Sequence, residues 1–367
     1  MRELSPSPSR LVWRSDTASG VRLVTVRDVK FRSAWRGEGD AVVVAAHRTG
    51  HGGALFHLTV GPDGVEEVLA KDVSGADAAL MTGPDGAPWV RMSVLEDGVD
   101  QAPDTVLPLR GRSDGERPPR TSPFAGDFVG WIGDRAFWHL DDVFDEHKPS
   151  RIQAADLGYG VKGPRLQFRR PVRLPLPQSH DAVVCADGTR LAVLALDADP
   201  AGPATLRILA PETLVIEREL LVARDPGEAF LTLAEACRDG TALLYSVARD
   251  GRVTMIRLDS TGAQSAAPAG ALPGEPFSVW QVRGPARHAL RFTTEHANGL
   301  LTLRGATPTA LWTGTPHRYH DTIGGREVPL PADWGRPLLS DVVTNSRGHV
   351  LVLTSENDPH RLALLFD

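Results

Sequence analysis

The chain has 367 residues with 40 basic and 46 acidic side chains, so its formal net charge is 40 − 46 = −6. This mildly acidic balance argues against a nucleic-acid-binding protein that depends on a broad phosphate-neutralising surface. No apolar run approaches the roughly 20 residues of a membrane-spanning helix, and the first ten residues lack the apolar core of a secretory signal. We therefore expect a cytoplasmic protein with no nucleic-acid partner and no membrane association.

Residues 1–10 contain three Ser and two Pro and are predicted to form a loose tail. The strand-like segment VRLVTV (21–26) follows soon after. The chain ends with three further strand-like segments, LSDVVT, HVLVLTS and RLALLF. We predict that VRLVTV supplies the fourth strand of this last sheet, because such pairing removes exposed sheet edges.

A short turn followed at once by an apolar strand recurs along the whole chain. Most of these turns contain Gly, often as Asp-Gly or Gly-Asp, and such dipeptides favour hairpins because one or both residues adopt positive φ. The turns are centred near residues 40, 85, 134, 187, 239, 287 and 347, so the intervals are 45, 49, 53, 52, 48 and 60 residues. A strand-turn repeat of about 40–60 residues is typical of a β-propeller.

Two of these units, HDAVVCADGTRLAVLALD (180–197) and LSDVVTNSRGHVLVLTSE (339–356), show the pattern most clearly. They resemble the repeats of the β-propeller class. The resemblance is architectural, because the Trp-Asp and Gly-His signatures of WD repeats do not recur, and it carries over no catalytic residue. It implies a single all-β domain over residues 1–367, a seven-bladed β-propeller of four-stranded antiparallel blades, closed by the N-terminal strand.

The second strand of each repeat is nearly continuous in apolar residues, which is typical of a strand buried on both faces. Cys185 and Cys237 precede equivalent turns, 237 − 185 = 52 residues apart. Because equivalent positions of neighbouring blades diverge, we expect two reduced thiols rather than a disulfide.

Residues 158–163 match the pattern G-x-G-x-x-G, which in a dinucleotide site must open a helix. Here Pro164 and the strand-like LQFRRPVRL follow, so the match predicts a hairpin loop. The polar face of an outer strand explains the arginines in this stretch, Arg165, Arg169, Arg170 and Arg173.

Strand direction places the loops after each second and fourth strand on one face, the predicted top face. Two of them, 110–127 and 315–337, are much longer than ordinary hairpin loops and are candidates for function. The shorter one could clamp an anionic group, because guanidinium pairs well with carboxylate or phosphate; a solvated loop is the alternative. Its arginines are Arg110, Arg112, Arg117 and Arg120.

The longer loop contains the run His317-Arg318-Tyr319-His320-Asp321. His317, His320 and Asp321 could bind a divalent metal, and the two imidazoles could act as acid and base, with Arg318 and Tyr319 contacting a ligand. In another loop, Asp141 and His147 could hold a cation or act as acid and base. Ordinary polar loops remain the alternative in both places, and no cofactor is clearly implied.

A further candidate lies where the predicted first strands begin. His180 and Asp181 open the first strand of one blade, and Glu228 and Glu275 precede the matching strands of the next two. In propellers the first strand lines the central channel, so these side chains could converge; hydrogen bonding between blades is the alternative. Two further residues, Glu295 and His296, belong to the wider rim on the same face.

These patterns leave two functions open. In the first, the chain binds a small anionic ligand or a protein partner at its top face. In the second, it is a propeller enzyme, a lyase, hydrolase or cyclase, whose histidine and carboxylate rim supplies acid–base or metal-assisted catalysis. The first is favoured because no catalytic motif such as G-x-S-x-G, H-E-x-x-H or a P-loop is present.

Overall fold

The computed structural model describes residues 126–140, 149–160, 163–197, 199, 202–225, 227–284, 287–295 and 297–302, residues 83–84, and the other strands named below. The chain divides into two compact units, Met1–Leu80 with Trp312–Asp367, and Met81–Leu311. Among the described residues there is no helix long and apolar enough to cross a membrane.

The first unit contains two antiparallel sheets and a hairpin. One sheet follows the chain order β3 (Val29–Arg36), β4 (Val42–Arg48), β5 (Ala54–Gly61) and β6 (Gly64–Asp72). The other has five strands, in the spatial order β1 (Trp13–Ala18), β2 (Val21–Val26), β31 (Arg361–Phe366), β30 (Gly348–Thr354) and β29 (Leu338–Asn345). The hairpin pairs β27 (Arg318–Asp321) with β28 (Arg326–Pro329).

The predicted closing strand is present. Strand β2 pairs antiparallel with β31, with Arg22 opposite Leu364 and Thr25 opposite Arg361. VRLVTV therefore completes the sheet of the three C-terminal strands, as its sequence predicted, and β1 adds a fifth strand outside it. The hairpin β27–β28 is a difference from the sequence analysis, which treated residues 315–337 as one long loop.

The second unit contains most of the remaining strands. One sheet is formed by β10 (Asp127–Ile132), β11 (Arg135–Leu140), β12 (Arg151–Gly160), β13 (Gly163–Phe168) and the short β14 (Val172–Arg173), which pairs with β12. The next is formed by β15 (Ser179–Val184), β16 (Leu191–Ala195), β17 (Ala204–Leu209) and β18 (Ile216–Val222). The third is formed by β19 (Glu228–Ala236), β20 (Ala242–Ala248), β21 (Arg252–Leu258) and β22 (Gln264–Ala271).

Further antiparallel pairs complete this unit. They are β8 (Pro88–Val94) with β9 (Thr105–Pro108), and β23 (Pro276–Gly284) with β24 (Arg287–Thr294) and β25 (Ala297–Thr302). Strands β7 (Ala76–Thr82) and β26 (Thr309–Gly314) run across the boundaries between the units. Successive antiparallel sheets of four strands confirm the predicted all-β architecture, while the number of seven blades remains a prediction.

Alternate residues of the second strand β16 pack against opposite neighbouring sheets. In β16 all five residues are buried, and Leu191 and Val193 pack toward Phe137 and Ile152 of the preceding sheet. The intervening Ala192 and Leu194 pack toward the following sheet, in one apolar cluster with Leu231 and Leu244. Both faces of the strand are therefore buried, which explains why its sequence lacks polar alternation.

The recurring turns have the predicted conformation. Gly188 and Gly240 have φ of +67° and +86°, a region that side chains with a Cβ rarely adopt. The preceding Asp187 and Asp239 accept hydrogen bonds from the backbone N–H groups two residues later, at 3.0 Å in both turns. The pKa of the Asp187 carboxyl group is held below its ordinary value by hydrogen bonds from the Thr189 hydroxyl, at 2.7 Å, and from the Thr189 N–H. The N–H and the hydroxyl of Thr241 lower the pKa of Asp239 in the same way. Both cysteines beside these turns are free thiols.

The G-x-G-x-x-G match lies in the hairpin between β12 and β13. Gly160 pairs with Gly163 across the turn, and β13 continues as a strand as far as Phe168. This confirms the predicted hairpin at residues 158–163. The phosphate-binding helix that a dinucleotide site requires does not follow.

Candidate binding site at the starts of the first strands

A β-bulge recurs near the start of the first strand of the sheets. In the second unit the pairing register shifts at Val129, His180, Ala229 and Phe277, each of which is an extra residue opposite the second strand. The same shift occurs in β29 and β3 of the first unit. Bulges re-aim side chains and are frequent beside functional sites. We call residues 179–181, 228–230 and 276–278 the first-strand rim.

Asp181 follows the bulge of β15 and is 1% exposed. Its Oδ2 accepts hydrogen bonds from the Thr232 hydroxyl at 2.9 Å and from the Leu233 N–H at 3.0 Å, both in the first strand of the next sheet. Its Oδ1 accepts from the N–H of Ala182 at 2.8 Å. Asp181 therefore connects two sheets, which is the structural alternative that the sequence analysis left open for this residue.

His180 is the bulge residue itself, and its side chain is exposed. Its ring lies edge-on to Phe230 of the next first strand, with 5.7 Å between ring centroids and 72° between planes. Phe230 follows the bulge of β19 and so occupies the position that Asp181 has in β15. The first strands β15 and β19 are therefore joined by two kinds of contact, the ring contact of His180 with Phe230 and the hydrogen bonds of Asp181.

Phe277 is the bulge residue of β23 and is 72% exposed. It is the most exposed large hydrophobic side chain among the residues that the structure describes. Glu275, which was predicted to be part of a ligand site, lies just before the strand and is also exposed. The bulge therefore presents an apolar ring to solvent at the position equivalent to His180.

Glu228 begins β19, and its side chain is 1% exposed. Its Oε1 accepts a hydrogen bond of 2.8 Å from the Nε of Arg224, whose side chain is 11% exposed. Its Oε2 and the Oγ of Ser179, at the equivalent position of β15, are buried without a hydrogen-bond partner among the described residues. Both atoms are buried polar groups that the contacts among the described residues leave unsatisfied.

Side chains on the outer strands hold the segments that lead into the rim. Arg207 of β17 is 1% exposed and donates to the carbonyl oxygens of residues 175, 176 and 177, at 2.6–3.1 Å. Gln264 of β22 makes two hydrogen bonds with the backbone of Ala223, at 3.0 and 3.1 Å. These contacts fix the segment directly before β15 and the first residue of the connection from β18 to β19.

The other predicted site residues are only partly covered. Among them, Glu295 is an exposed residue directly after β24. Four others form strand β27, namely Arg318, Tyr319, His320 and Asp321. Their proposed roles remain predictions. The remaining ones fall outside the described residues: Arg110, Arg112, Arg117, Arg120, Asp141, His147, His296 and His317. The described part of the chain contains no group of three metal-ligating side chains.

Sequence reasoning did not select Phe277 or Phe230. The signal was present in the repeat spacing, because residues 180, 229 and 277 are 49 and 48 residues apart, close to one blade. Aligning the repeats on His180 would have placed Phe277 at the same position. Its exposure was not predictable, since FSVWQV reads as an ordinary apolar strand.

Comparison with known proteins shows similarity in fold alone. No protein-family model and no curated protein matches the sequence. A solved structure from a study of two prolyl endopeptidases has a TM-score of 0.50 and 15% identity, and covers 98% of this chain. The chain spans 57% of the length of that structure.

Two further solved structures have lower TM-scores. The WD40 β-propeller domain of Doa1 has a TM-score of 0.45 and 12% identity, covering 92% of this chain and 93% of its own. The Dos1 propeller has a TM-score of 0.42 and 8% identity, covering 97% of this chain and 89% of its own. The successive four-stranded antiparallel sheets, the recurring bulge and the closing N-terminal strand show that this chain is an all-β protein of the β-propeller class.

Proposed function

We propose that the chain is a binding protein that recognises a protein partner through its first-strand rim. The observation that carries this proposal is Phe277, a large aromatic ring that is 72% exposed on a fixed bulge. Aromatic side chains are enriched at the centres of protein interfaces, where they bury much apolar area with few rotatable bonds. A strand bulge held by its ladder hydrogen bonds positions such a ring before the partner arrives.

The chemistry of the rim supports binding more than catalysis. A general acid or base must reach a substrate proton at hydrogen-bond distance. Asp181 is buried and already accepts three hydrogen bonds, and Glu228 is buried against Arg224. Within the rim this leaves His180 as the titratable side chain at the surface. The exposed side chains at the starts of these first strands include the polar His180 and Glu275 and the apolar Phe277, which suits a partner with both apolar and polar groups.

The alternative functions depend on other parts of the chain. A small anionic ligand would require the arginine loop 110–127, and an enzyme would require Asp141, His147 or the histidines of 315–337. A divalent metal at His317, His320 and Asp321 and a cytoplasmic location also remain proposals. No contact among the described residues favours any of these.

The test compares two exposed hydrophobic residues of the same unit. Phe277→Asp places a charge in the rim, and Leu221→Asp places one on the outer strand β18, where Leu221 is 66% exposed. The tagged variants and the wild-type chain are purified from the native cells, and co-purifying proteins are quantified by mass spectrometry. We expect a set of proteins that is lost with Phe277→Asp and retained with Leu221→Asp.

Retention of the same proteins by both variants would contradict a binding role of the rim. So would loss in both, because the effect would then follow from added charge rather than position. A urea titration of each variant checks that the fold is intact, since surface substitutions away from packed positions usually change the free energy of unfolding by about 0.5 kcal/mol or less.

A further inference from the structure

The strand β13 and the segment after it form a basic edge of the sheet β10–β13. Between Asp156 and Asp181 the sequence has no acidic residue and five basic ones, Lys162, Arg165, Arg169, Arg170 and Arg173. Since the whole chain has a net charge of −6, the remainder carries −6 − 5 = −11. A concentrated positive segment on an otherwise acidic chain marks a surface for a negatively charged partner.

Most of these arginines are free to bind. Arg165, Arg170 and Arg173 are exposed and form no ion pair with any residue that the structure describes. Arg169 donates to Asp156 at 2.7 Å, and Asp156 also accepts from Arg135 at 2.7 Å. Opposite Arg165 on the neighbouring strand is Gly158, which offers no carboxylate. Asp156 is therefore shared by two arginines, and within the described part of the chain Arg165, Arg170 and Arg173 have no carboxylate partner.

The edge is shaped for side-chain recognition rather than strand addition. Strand β13 has one neighbour, β12, in the described residues, so its other edge is open. Its N-terminal residue pair contains Pro164, and Pro171 follows it, so these two positions lack the N–H that an added strand would need. An exposed Tyr159, at the hairpin before β13, adds apolar contact area at 66% exposure.

We propose that this basic edge, residues 159–160 and 163–173, binds an acidic, extended segment of a partner protein. Guanidinium groups pair with carboxylates through two parallel hydrogen bonds. Arg165 lies in β13 and Arg173 in β14, so the basic side chains are spaced along this edge, as carboxylates are along an extended peptide. The six residues of β13 span about 20 Å at roughly 3.3 Å per residue, a length suited to a short peptide. A nucleic-acid duplex carries one negative charge per about 1.7 Å and extends well beyond this edge, so the acidic remainder of the chain repels it more than a short peptide.

The experiment measures binding of a fluorescently labelled ten-residue polyglutamate peptide to the full chain by anisotropy at low salt. The edge variant replaces Arg165, Arg170 and Arg173 by Ser. The matched control replaces three other exposed arginines by Ser, Arg238, Arg249 and Arg257, so both variants have a net charge of −6 − 3 = −9. We expect the edge variant to bind about tenfold more weakly than the control, which corresponds to about 1.4 kcal/mol.

Three outcomes would overturn the proposal. If the wild-type chain does not bind the peptide, the arginines serve only to protect a sheet edge from aggregation. If a labelled DNA duplex binds the wild-type chain more tightly than the peptide and only the edge variant loses it, the partner is a nucleic acid. If the wild-type chain is a dimer in sedimentation velocity and the edge variant a monomer, the edge binds a second copy of this chain. Because Phe277 is untouched, none of these outcomes affects the proposed function of the rim.

Discussion

The sheets β15–β18 and β19–β22 are neighbours with the same plan and different chemistry. Both have the turn with a positive-φ glycine and the bulge in the first strand, and both contribute to one shared apolar cluster. After the bulge, however, the first sheet has Asp181 and the second has Phe230. The carboxylate binds donors of the next sheet, whereas the phenyl ring contacts His180. The recurring bulge therefore gives both first strands the same backbone geometry, while the residue that follows it decides the chemistry of the contact.

The two sheets also differ in how they hold the segment that enters them. In β17 the buried Arg207 lies opposite Val193, and in β21 the equivalent residue opposite Ser246 is Thr254. Arg207 binds the carbonyls of the entering segment, whereas the second sheet uses Gln264 on its outermost strand. The inner strands of the two sheets therefore have the same architecture, while different side chains on the outer strands, Arg207 and Gln264, hold the connecting segments.

Among the changes that test this difference, the removal of the Asp181 carboxylate should cause the largest loss of stability. In Asp181→Ala the Thr232 hydroxyl and the Leu233 N–H lose their acceptor inside the protein, at about 1–3 kcal/mol for each buried unsatisfied group. We expect the free energy of unfolding in a urea titration to fall by about 3 kcal/mol. The matched change in the other sheet, Phe230→Leu, should cost about 1.5 kcal/mol or less. Equal losses would show that the two contacts are equivalent.

Arg207→Ala should have the next largest effect. The variant loses three hydrogen bonds to carbonyls whose residues are partly exposed, so water replaces some of them. We expect a loss of about 2 kcal/mol, since a hydrogen bond to a charged group contributes about 1.5–3 kcal/mol and water compensates in part. Gln264→Ala, the counterpart in the second sheet, should cost about 1 kcal/mol or less because its site is exposed. A larger effect for Gln264→Ala would reverse the comparison.

The half-buried Asp156 should make the stability of the fold depend on pH. Although partial burial acts in the opposite direction, hydrogen bonds from Arg135 and Arg169 hold the pKa of Asp156 below its ordinary value. A carboxyl group with a lowered pKa stabilises the fold above its unfolded pKa of about 3.9, and this contribution is lost as the pH falls through the folded pKa. The stability difference between wild type and Asp156→Asn should be constant near pH 6 and shrink below about pH 4. A difference that stays constant down to pH 3 would argue against the ion pairs.

The two cysteines give the smallest and most local test. They precede equivalent turns, but Cys185 is buried and Cys237 is half-buried. Burial raises the pKa of the Cys185 thiol to about 12, and burial also raises that of Cys237. Because the thiolate is the reactive form, we expect iodoacetamide at pH 8 to modify Cys237 slowly and leave Cys185 unmodified in the native protein. Equal rates before urea is added would show that Cys185 is accessible.

The repeating features could be predicted because they depend on local chemistry. The Asp-Gly turns require positive φ, and the uninterrupted apolar run of β16 indicates a strand covered on both faces. The closing strand β2 followed from counting the strands of the last sheet. The turn and strand predictions needed only neighbours in the sequence, whereas the closing strand needed a comparison of the two ends of the chain.

The contacts of the rim could not be predicted in the same way. The donor of the Asp181 hydrogen bond, Thr232, is 51 residues away along the chain. The exposure of Phe277 depends on a bulge that adds one residue opposite β24 and has no sequence signature. The histidine and arginine candidates in the long loops were chosen for composition alone, and most lie beyond the described residues.

The most direct test of the central claim is site-specific photo-crosslinking in native cells. A photoreactive phenylalanine analogue replaces Phe277 in one chain and Leu221 in another, since the two side chains are exposed to similar degrees, 72% and 66%. After illumination, adducts are detected by their shift in mass on denaturing gels. We predict a discrete protein adduct from position 277 and none from position 221. No adduct at 277, or the same adducts at both positions, would contradict the assignment of the first-strand rim as a protein-binding surface.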